Sequence, residues 1–224
     1  MCMINHTFGV VFVHVPKNAG TAISHFLSPL TTYRDQEIGG TALGHAASSY
    51  YMNRFGLAKH STALRIREAM GFDTFQAYSS FAVVRDPVDR VHSIYRFLQR
   101  WLRWRELPAY TGHAPVFDAY GDVNDFVRSE MFQTDGPGLI FRPQSTWVCD
   151  ESKEIMVDRL IRFEKLQQGI EELVEELDLP ADRLESRLTV RNESRSGPSD
   201  ALLDARSIAI VHERYASDYG IFGY

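Results

Sequence analysis

The sequence predicts a single α/β domain over residues 1–224, with a central parallel sheet flanked by helices. Three apolar runs, at 8–15, 81–84 and 157–163, show little alternation of polar and apolar residues, as expected of strands buried on both faces. Each run is followed by a segment with helical periodicity, and strands that alternate with helices are typical of parallel sheets. A chain of 224 residues can also bury a large core without disulfides.

The first elements surround a short turn. We predict a strand at Phe8–Val15, a turn at Pro16–Thr21 and a helix at Ala22–Leu30, whereas residues 31–58 read as irregular. The apolar N-terminal run has no basic segment before it and no small-residue cleavage site after it. It is therefore interpreted as a strand and not as a signal peptide.

The middle of the chain repeats this order. Ser61 is predicted to cap a helix that runs to Met70, and Phe81–Val84 is the second buried strand. Asp86 is a plausible cap and Pro87 suits the first position of the next helix. Its apolar stripe consists of Val88, Val91, Tyr95, Leu98 and Leu102. The predicted elements that follow are a loop at 106–123, a helix at Asn124–Met131, a strand at Val157–Phe163, a helix at Lys165–Leu177, a basic loop at 187–200 and a helix at Ala201–Tyr219.

Composition excludes several classes of function. Hydrophobic residues make up 44% and charged residues 24% of the chain, which is typical of a soluble globular protein. The formal net charge of −5 argues against general nucleic-acid binding, and no apolar run is long enough to predict a membrane span. Cys2 and Cys149 form neither a disulfide framework nor a metal knuckle, which fits a reducing compartment. A local basic pocket for an anionic ligand remains compatible with this composition.

The segment from Lys17 to Thr21 is a candidate anion site. It lies between a strand and a helix, where unpaired N–H groups and the helix dipole favour negative charge. Ala19 and Gly20 allow close approach to the backbone, Thr21 adds a hydroxyl and Lys17 adds a positive charge. These groups suit a phosphate or a sulfate. The alternative is a plain surface turn with a solvated lysine.

This loop differs from the nucleotide triphosphatase pattern, G-x-x-x-x-G-K-[ST], in which the lysine comes late. Here Lys17 comes early, and no glycine precedes it. The sequence also offers no convincing carboxylate at the end of a later strand to bind magnesium, because Asp86 is better suited to capping a helix. A nucleotide kinase or triphosphatase is therefore an alternative that lacks its two usual features.

A second anion site is predicted at the end of the next strand. Arg85 follows the buried run directly, and Ser93 lies about two turns into the following helix. Arginine makes paired hydrogen bonds to phosphate oxygens, and a hydroxyl could add another. The alternative is a structural arginine that pairs with Asp86 or Asp89. Two strand-end anion sites in one domain suggest a ligand with two anionic ends.

The segments FVHVPKNAGTAI and FAVVRDPVDRVHSIYRF resemble the two nucleotide signatures of the sulfotransferases, specifically the carbohydrate group that includes heparan and chondroitin enzymes. The resemblance continues, in order along the chain, in AKHSTALRIREAMG, PQSTWVCD, IRFEKL and VHERYASDYGIFGY. It implies a P-loop-like sulfotransferase fold and transfer of a sulfuryl group to a hydroxyl of a glycan or other sugar acceptor. We expect a soluble, bacterial-like member that acts in the cytoplasm.

The resemblance also implies the donor and its binding residues. The donor would be 3′-phosphoadenosine 5′-phosphosulfate (PAPS), with adenosine 3′,5′-bisphosphate (PAP) as product and no metal. The loop that would hold the 5′-phosphosulfate comprises Lys17, Asn18, Ala19, Gly20, Thr21 and Ala22. Arg85 and Ser93 would hold the 3′-phosphate, and the residues that would assist from a later loop are Arg191, Ser194 and Arg195. Asn18 and Ala22 replace a threonine and a serine of the usual family loop.

Sulfuryl transfer to a hydroxyl needs a general base, and a histidine of near-neutral pKa suits that role. His60 lies at a loop-to-helix boundary between the two nucleotide motifs, where heparan-type enzymes have a catalytic histidine. His45, which follows glycines in LGHAASSYY, is the alternative. A binding module that keeps the fold without turnover is a further alternative for the whole protein. The sequence indicates neither the acceptor nor the oligomeric state.

Overall fold

The computed structural model describes residues 2–104, 120–134, 139–184, 188 and 202–224, with side chains omitted at 101–104. The described residues fall into two compact units. The first draws on Met1–Arg85 and Gln144–Asn192, and the second on Asp86–Pro143 and Glu193–Tyr224.

The first unit contains a five-stranded mixed sheet. Its strands are β1 Cys2–Asn5, β2 Val10–Val13, β3 Gln36–Ile38, β4 Ser79–Val84 and β5 Arg159–Arg162, in the order β3-β1-β2-β4-β5. Strand β4 runs parallel to both β2 and β5, whereas β1 is antiparallel to both of its neighbours. The predicted α/β fold with a parallel centre is confirmed, and the first strand is shorter than predicted because it is one arm of a hairpin with β1.

The helices are α1 Gly20–Leu27, α2 Ala42–Phe55, α3 Ala63–Met70, α4 Phe72–Ala77, α5 Pro87–Trp104, α6 Val123–Arg128, α7 Glu130–Gln133, α8 Ser145–Val148, α9 Leu166–Glu176, α10 Ala205–Arg214 and α11 Ala216–Phe222. Within the described ranges, none of them is long and apolar enough to cross a membrane. In the first unit, α1 and α9 pack on the sheet through Ile23, Phe26 and Ile170, which join Phe12 and Phe81 in one buried cluster.

The prediction of irregular structure at 31–58 is wrong. This region contains β3 and the fourteen-residue helix α2, which begins after Thr41, whose hydroxyl accepts a hydrogen bond from the N–H of Gly44. The only fully buried residue of α2 is Gly44, so the helix carries no apolar stripe that a periodicity argument could detect. Another difference is the cap of α3, which is Thr62 and not Ser61.

The second unit is helical. The predicted stripe of α5 is confirmed at Val91, Tyr95 and Leu98, which are buried against residues of α6 and α10. The predicted helices at 124–131 and 201–219 are each two shorter helices. The predicted helix at 124–131 is interrupted at Ser129, whose hydroxyl caps α7 by accepting a hydrogen bond from the N–H of Phe132. Except for residue 188, the basic loop predicted at 187–200 lies outside the described residues, and so does most of the loop at 106–123.

Candidate functional site

The two predicted anion-binding segments lie at the same edge of the sheet. Strands β2 and β4 are hydrogen-bonded parallel neighbours, with Val13 opposite Ala82. Because the carboxyl ends of parallel strands meet at one edge, the segment after β2 and Arg85 after β4 are adjacent there. The next parallel strand, β5, ends beside them and is followed by Phe163.

The segment from Pro16 to Thr21 makes a tight turn into α1. Lys17 and Ala19 both have left-handed backbone conformations, with φ of 71° and 58°, which non-glycine residues adopt at a cost. Among the described residues, no side chain caps α1. The N–H of Ile23 donates to the carbonyl of Ala19, so the N–H groups of the preceding turn have no helical acceptor. This turn offers backbone donors and the positive end of a helix to an anion.

Gly20 is required by a histidine packed beneath the turn. A Cβ atom placed on Gly20 would lie 1.8 Å from Nε2 of His14. The imidazole of His14 is buried and stacks on Phe12, with ring centroids 5.8 Å apart. The absence of a side chain at Gly20 therefore lets the turn lie directly on the His14 ring.

Asn18 faces inward. Its side chain is 1% exposed, and its Nδ2 donates to the carbonyl of Val83 at 2.8 Å and to Oε1 of Gln144 at 2.5 Å. These bonds fasten the turn to the end of β4. The amide is thus committed to the protein interior, which leaves only the backbone of Asn18 for a ligand.

Gln144, at the start of α8, joins the two anion-binding segments. Its Oε1 also accepts from the N–H of Arg85 at 2.9 Å, and its Nε2 donates to the carbonyl of Arg85 at 2.8 Å. Its side chain is fully buried. A single amide group therefore fixes the distance between the backbone of Arg85 and the turn that carries Lys17.

The guanidinium of Arg85 lies over an aromatic ring. Its Cζ is 4.0 Å from the centroid of Phe163, a cation–π contact that holds the planar group at the sheet edge. A guanidinium is planar and carries paired N–H donors, a geometry that suits a phosphate.

His60 lies next to the same turn. Its Nδ1 is 3.0 Å from the carbonyl oxygen of His14, and the two imidazole rings have centroids 4.3 Å apart. Trp147 on α8 donates from Nε1 to the carbonyl of His60 at 3.1 Å. The short helix α8 thus supports His60 through Trp147 and the anion-binding segments through Gln144.

The hydrogen bond to His14 determines the tautomer of His60. A carbonyl oxygen only accepts, so Nδ1 carries the proton and Nε2 of the neutral ring carries a lone pair. Burial is the main cause that lowers the pKa of His60 to about 3, and the charges of Lys59 and Lys17 contribute to this lowering. His60 is therefore neutral at pH 7, with Nε2 able to accept a proton.

His45 lies at the end of the first turn of α2, where its side chain is exposed. Partial burial and the charge of Lys59 lower its pKa. The structure places Lys59 near both candidate histidines, and sequence reasoning did not select this lysine. The only available signal was its position directly before His60.

The other predicted residues are placed as follows. Thr21 and Ala22 lie in the first turn of α1, with Ala22 buried. Ser93 belongs to the second unit, where it lies partly buried on α5. Arg191, Ser194 and Arg195 lie outside the described residues. In the described parts of the chain, no cluster of three His, Cys, Asp or Glu side chains is arranged to bind a metal ion.

These features define an α/β protein with an anion-binding turn and a fixed arginine at the carboxyl edge of its parallel strands. The model of the sulfotransferase family matches residues 1–224, and the chain belongs to this family. Comparisons with curated proteins and with solved structures give no match.

Proposed function

We propose that this protein, over residues 1–224, is a PAPS-dependent sulfotransferase that sulfates a hydroxyl of a carbohydrate. When bound, PAPS supplies the sulfuryl group, and PAP remains after transfer. The proposal is supported most directly by the hydrogen bonds of Gln144 to Asn18 and Arg85, which hold a lysine-bearing anion turn next to an oriented arginine. A donor with anionic groups at both ends suits this pair of segments.

The turn after β2 fits the phosphosulfate end of the donor. The uncapped start of α1 provides N–H donors, and Thr21 provides a hydroxyl. The close packing of Gly20 on His14 fixes the backbone of the turn that precedes α1. The family serine is Ala22 here and the Asn18 side chain points inward, so backbone groups and Lys17 carry most of this binding.

Arg85 fits the 3′-phosphate. Its guanidinium is held against Phe163 and can form two parallel hydrogen bonds to phosphate oxygens. Ser93, on the helix that follows, and the loop residues Arg191, Ser194 and Arg195 complete this part of the proposal.

Lys17 has the central electrostatic role. Sulfuryl transfer resembles phosphoryl transfer, in which the protein positions the groups in line and stabilises spread negative charge. An ammonium group at the turn neutralises the charge that builds on the bridging oxygen as the sulfuryl group departs.

His60 is the proposed general base. Its Nε2 lone pair can take the proton of the attacking hydroxyl, while Nδ1–H remains bonded to the carbonyl of His14. With a pKa of about 3, His60 is a poor base in the protein without a bound ligand. A bound anion opposes the charges of Lys17 and Lys59, so donor binding raises the pKa of His60 toward a useful value.

The acceptor class and the location belong to the same proposal. A glycan hydroxyl as acceptor rests on the resemblance to carbohydrate sulfotransferases. A cytoplasmic, bacterial-type enzyme is consistent with Cys2 and Cys149, which are both buried and form no disulfide.

Calorimetry with PAP, ATP and GTP in the absence of magnesium tests the donor. We expect PAP to bind at least about tenfold more tightly than either triphosphate, whereas a nucleotide kinase would favour a triphosphate with magnesium. Transfer is then measured by mass spectrometry with labelled PAPS and a panel of glycans. Lys17→Ala should abolish turnover, and unchanged transfer would remove Lys17 from the mechanism. PAP binding without any transfer would favour the binding module.

The base is tested by His60→Ala and His45→Ala in parallel. We expect His60→Ala to lower kcat by a factor of about 10² or more while PAP affinity is retained. His45→Ala should remain active. Loss of activity in His45→Ala with survival in His60→Ala would reverse the assignment.

A further inference from the structure

Lys59 is a partly buried cation without a protein counter-ion in the described parts of the chain. No carboxylate or hydrogen-bond acceptor of those residues contacts its ammonium group. Its side-chain stem lies against the backbone of Gly39, where an added Cβ atom would be 2.9 Å from Lys59 Cβ and Cγ. Lys59 is partly exposed, and partial desolvation of its side chain lowers its pKa.

The surroundings of Lys59 are positive or neutral. The charges of Lys59 and Lys17 both act on the imidazoles of His14 and His60, whose rings are in contact. Glu37, on the neighbouring strand β3, accepts hydrogen bonds from Ser28 and Thr31 instead. Buried charge is normally paired, so a partly buried ammonium that has no carboxylate partner among the described residues, and that directly precedes His60 in the chain, indicates a place for an anion.

We propose that the ammonium of Lys59 binds an anionic oxygen of substrate beside His60, and that this oxygen belongs to the sulfuryl group in transfer. The inference rests on the proposed function. Lys17 and Lys59 then supply two cations around the group whose negative charge spreads in the transition state. The same chemistry would suit a carboxylate or sulfate of an acidic sugar, which is the second possible source of the anion.

The test compares the wild type with Lys59→Met and Lys59→Arg by calorimetry. We expect Lys59→Met to weaken binding of PAPS by about tenfold or more while binding of PAP, which lacks the sulfuryl group, changes less than about threefold. Lys59→Arg keeps the charge and should restore most of the PAPS affinity. If the anion comes from the acceptor, Lys59→Met should instead weaken the binding of heparosan oligosaccharides, which carry carboxylates. The binding of neutral chitin oligosaccharides should then be unchanged.

A matched pair of glycine variants tests the position of Lys59 without removing its charge. Gly39 and Gly71 both have left-handed backbones, with φ of 72° and 86°, so an alanine strains both. The added methyl group meets Lys59 at Gly39 and meets nothing within 4 Å at Gly71. Gly39→Ala should therefore reproduce the selective loss of PAPS affinity, and Gly71→Ala should not.

The outcomes separate this inference from the proposed function. Wild-type protein that binds neither PAP nor PAPS would overturn both. Wild-type protein that binds PAP, together with Lys59→Met that binds PAPS and heparosan as tightly as the wild type, would overturn the role of Lys59 alone.

Discussion

The side-chain amide of Asn18 donates a hydrogen bond of 2.5 Å to the side-chain oxygen of Gln144, which lies 126 residues further along the chain. The same oxygen accepts from the backbone of Arg85. The lysine turn and the arginine strand end are thus set relative to each other by one buried amide. Substitutions at Gln144 should affect both halves of the proposed donor site together.

Gln144→Ala should destabilise the protein and weaken PAP binding. The change leaves the buried N–H and carbonyl of Arg85 without a partner, which predicts a loss of about 3 kcal/mol in the free energy of unfolding. Gln144→Glu keeps the acceptor for Asn18 and Arg85 but buries a carboxylate and turns one of its oxygens toward the Arg85 carbonyl, so its loss should be at least as large. Urea titration and calorimetry measure the two effects. Gln168→Ala, on the exposed face of α9, is the control and should change neither.

Gly20→Ala should disrupt the turn. Its methyl group would overlap the buried ring of His14, and overpacking of this kind predicts a loss of about 2 kcal/mol in the free energy of unfolding. Gly220→Ala is the matched control, since Gly220 is exposed on α11 with nothing within 4 Å of the new Cβ. That change should raise stability by about 0.5–1 kcal/mol. Equal stability of the two variants would show that the ring of His14 yields without cost.

Arg85→Lys should weaken the binding of ligands that carry a 3′-phosphate. Lysine lacks the planar pair of donors, so PAP affinity should fall by about tenfold. Adenosine 5′-phosphosulfate, which has no 3′-phosphate, should bind both proteins equally. Phe163→Leu keeps the charge but removes the ring beneath it, and should show the same selectivity with a smaller effect. A comparable loss for both nucleotides would place Arg85 elsewhere in the site.

Stability should fall on acidification through His60. Its folded-state pKa of about 3 lies below the unfolded value of 6.5, so the unfolded chain binds a proton first as the pH falls. The contribution of neutral His60 is therefore complete above about pH 7 and is lost progressively between about pH 6.5 and pH 3, by up to about 1.4 kcal/mol per pH unit. Burial also lowers the pKa of His14, which adds to the slope.

His60→Gln should flatten this dependence between about pH 6.5 and pH 4, and urea titrations at several pH values measure the slope. His25→Gln, on α1, is the control. If His60→Gln kept the full slope of the wild type, the loss of stability in acid would have to come from His14 and the carboxylates.

The parallel strands were predictable because burial on both faces leaves continuous apolar runs, and the ends of those runs located Lys17 and Arg85. Helix α2 could not be predicted from the sequence, because an exposed helix without an apolar stripe has no periodic signal. Contacts made by single polar groups were equally hidden. The inward orientation of Asn18 depends on a residue far along the chain. That Lys59 has no counter-ion among the described residues becomes visible only when its neighbours in space are known.

The long separation between Asn18 and Gln144 also bears on the order in which the chain matures. Contacts between distant residues form late, because the loop between them must close first. A nascent chain that has not yet extended to residue 144 contains Lys17, Arg85 and His60 but lacks the amide that aligns two of them and the indole that supports the third. Ribosomal synthesis would therefore complete the proposed donor site only after roughly two thirds of the polypeptide has emerged, and products that end before residue 144 should not bind PAP.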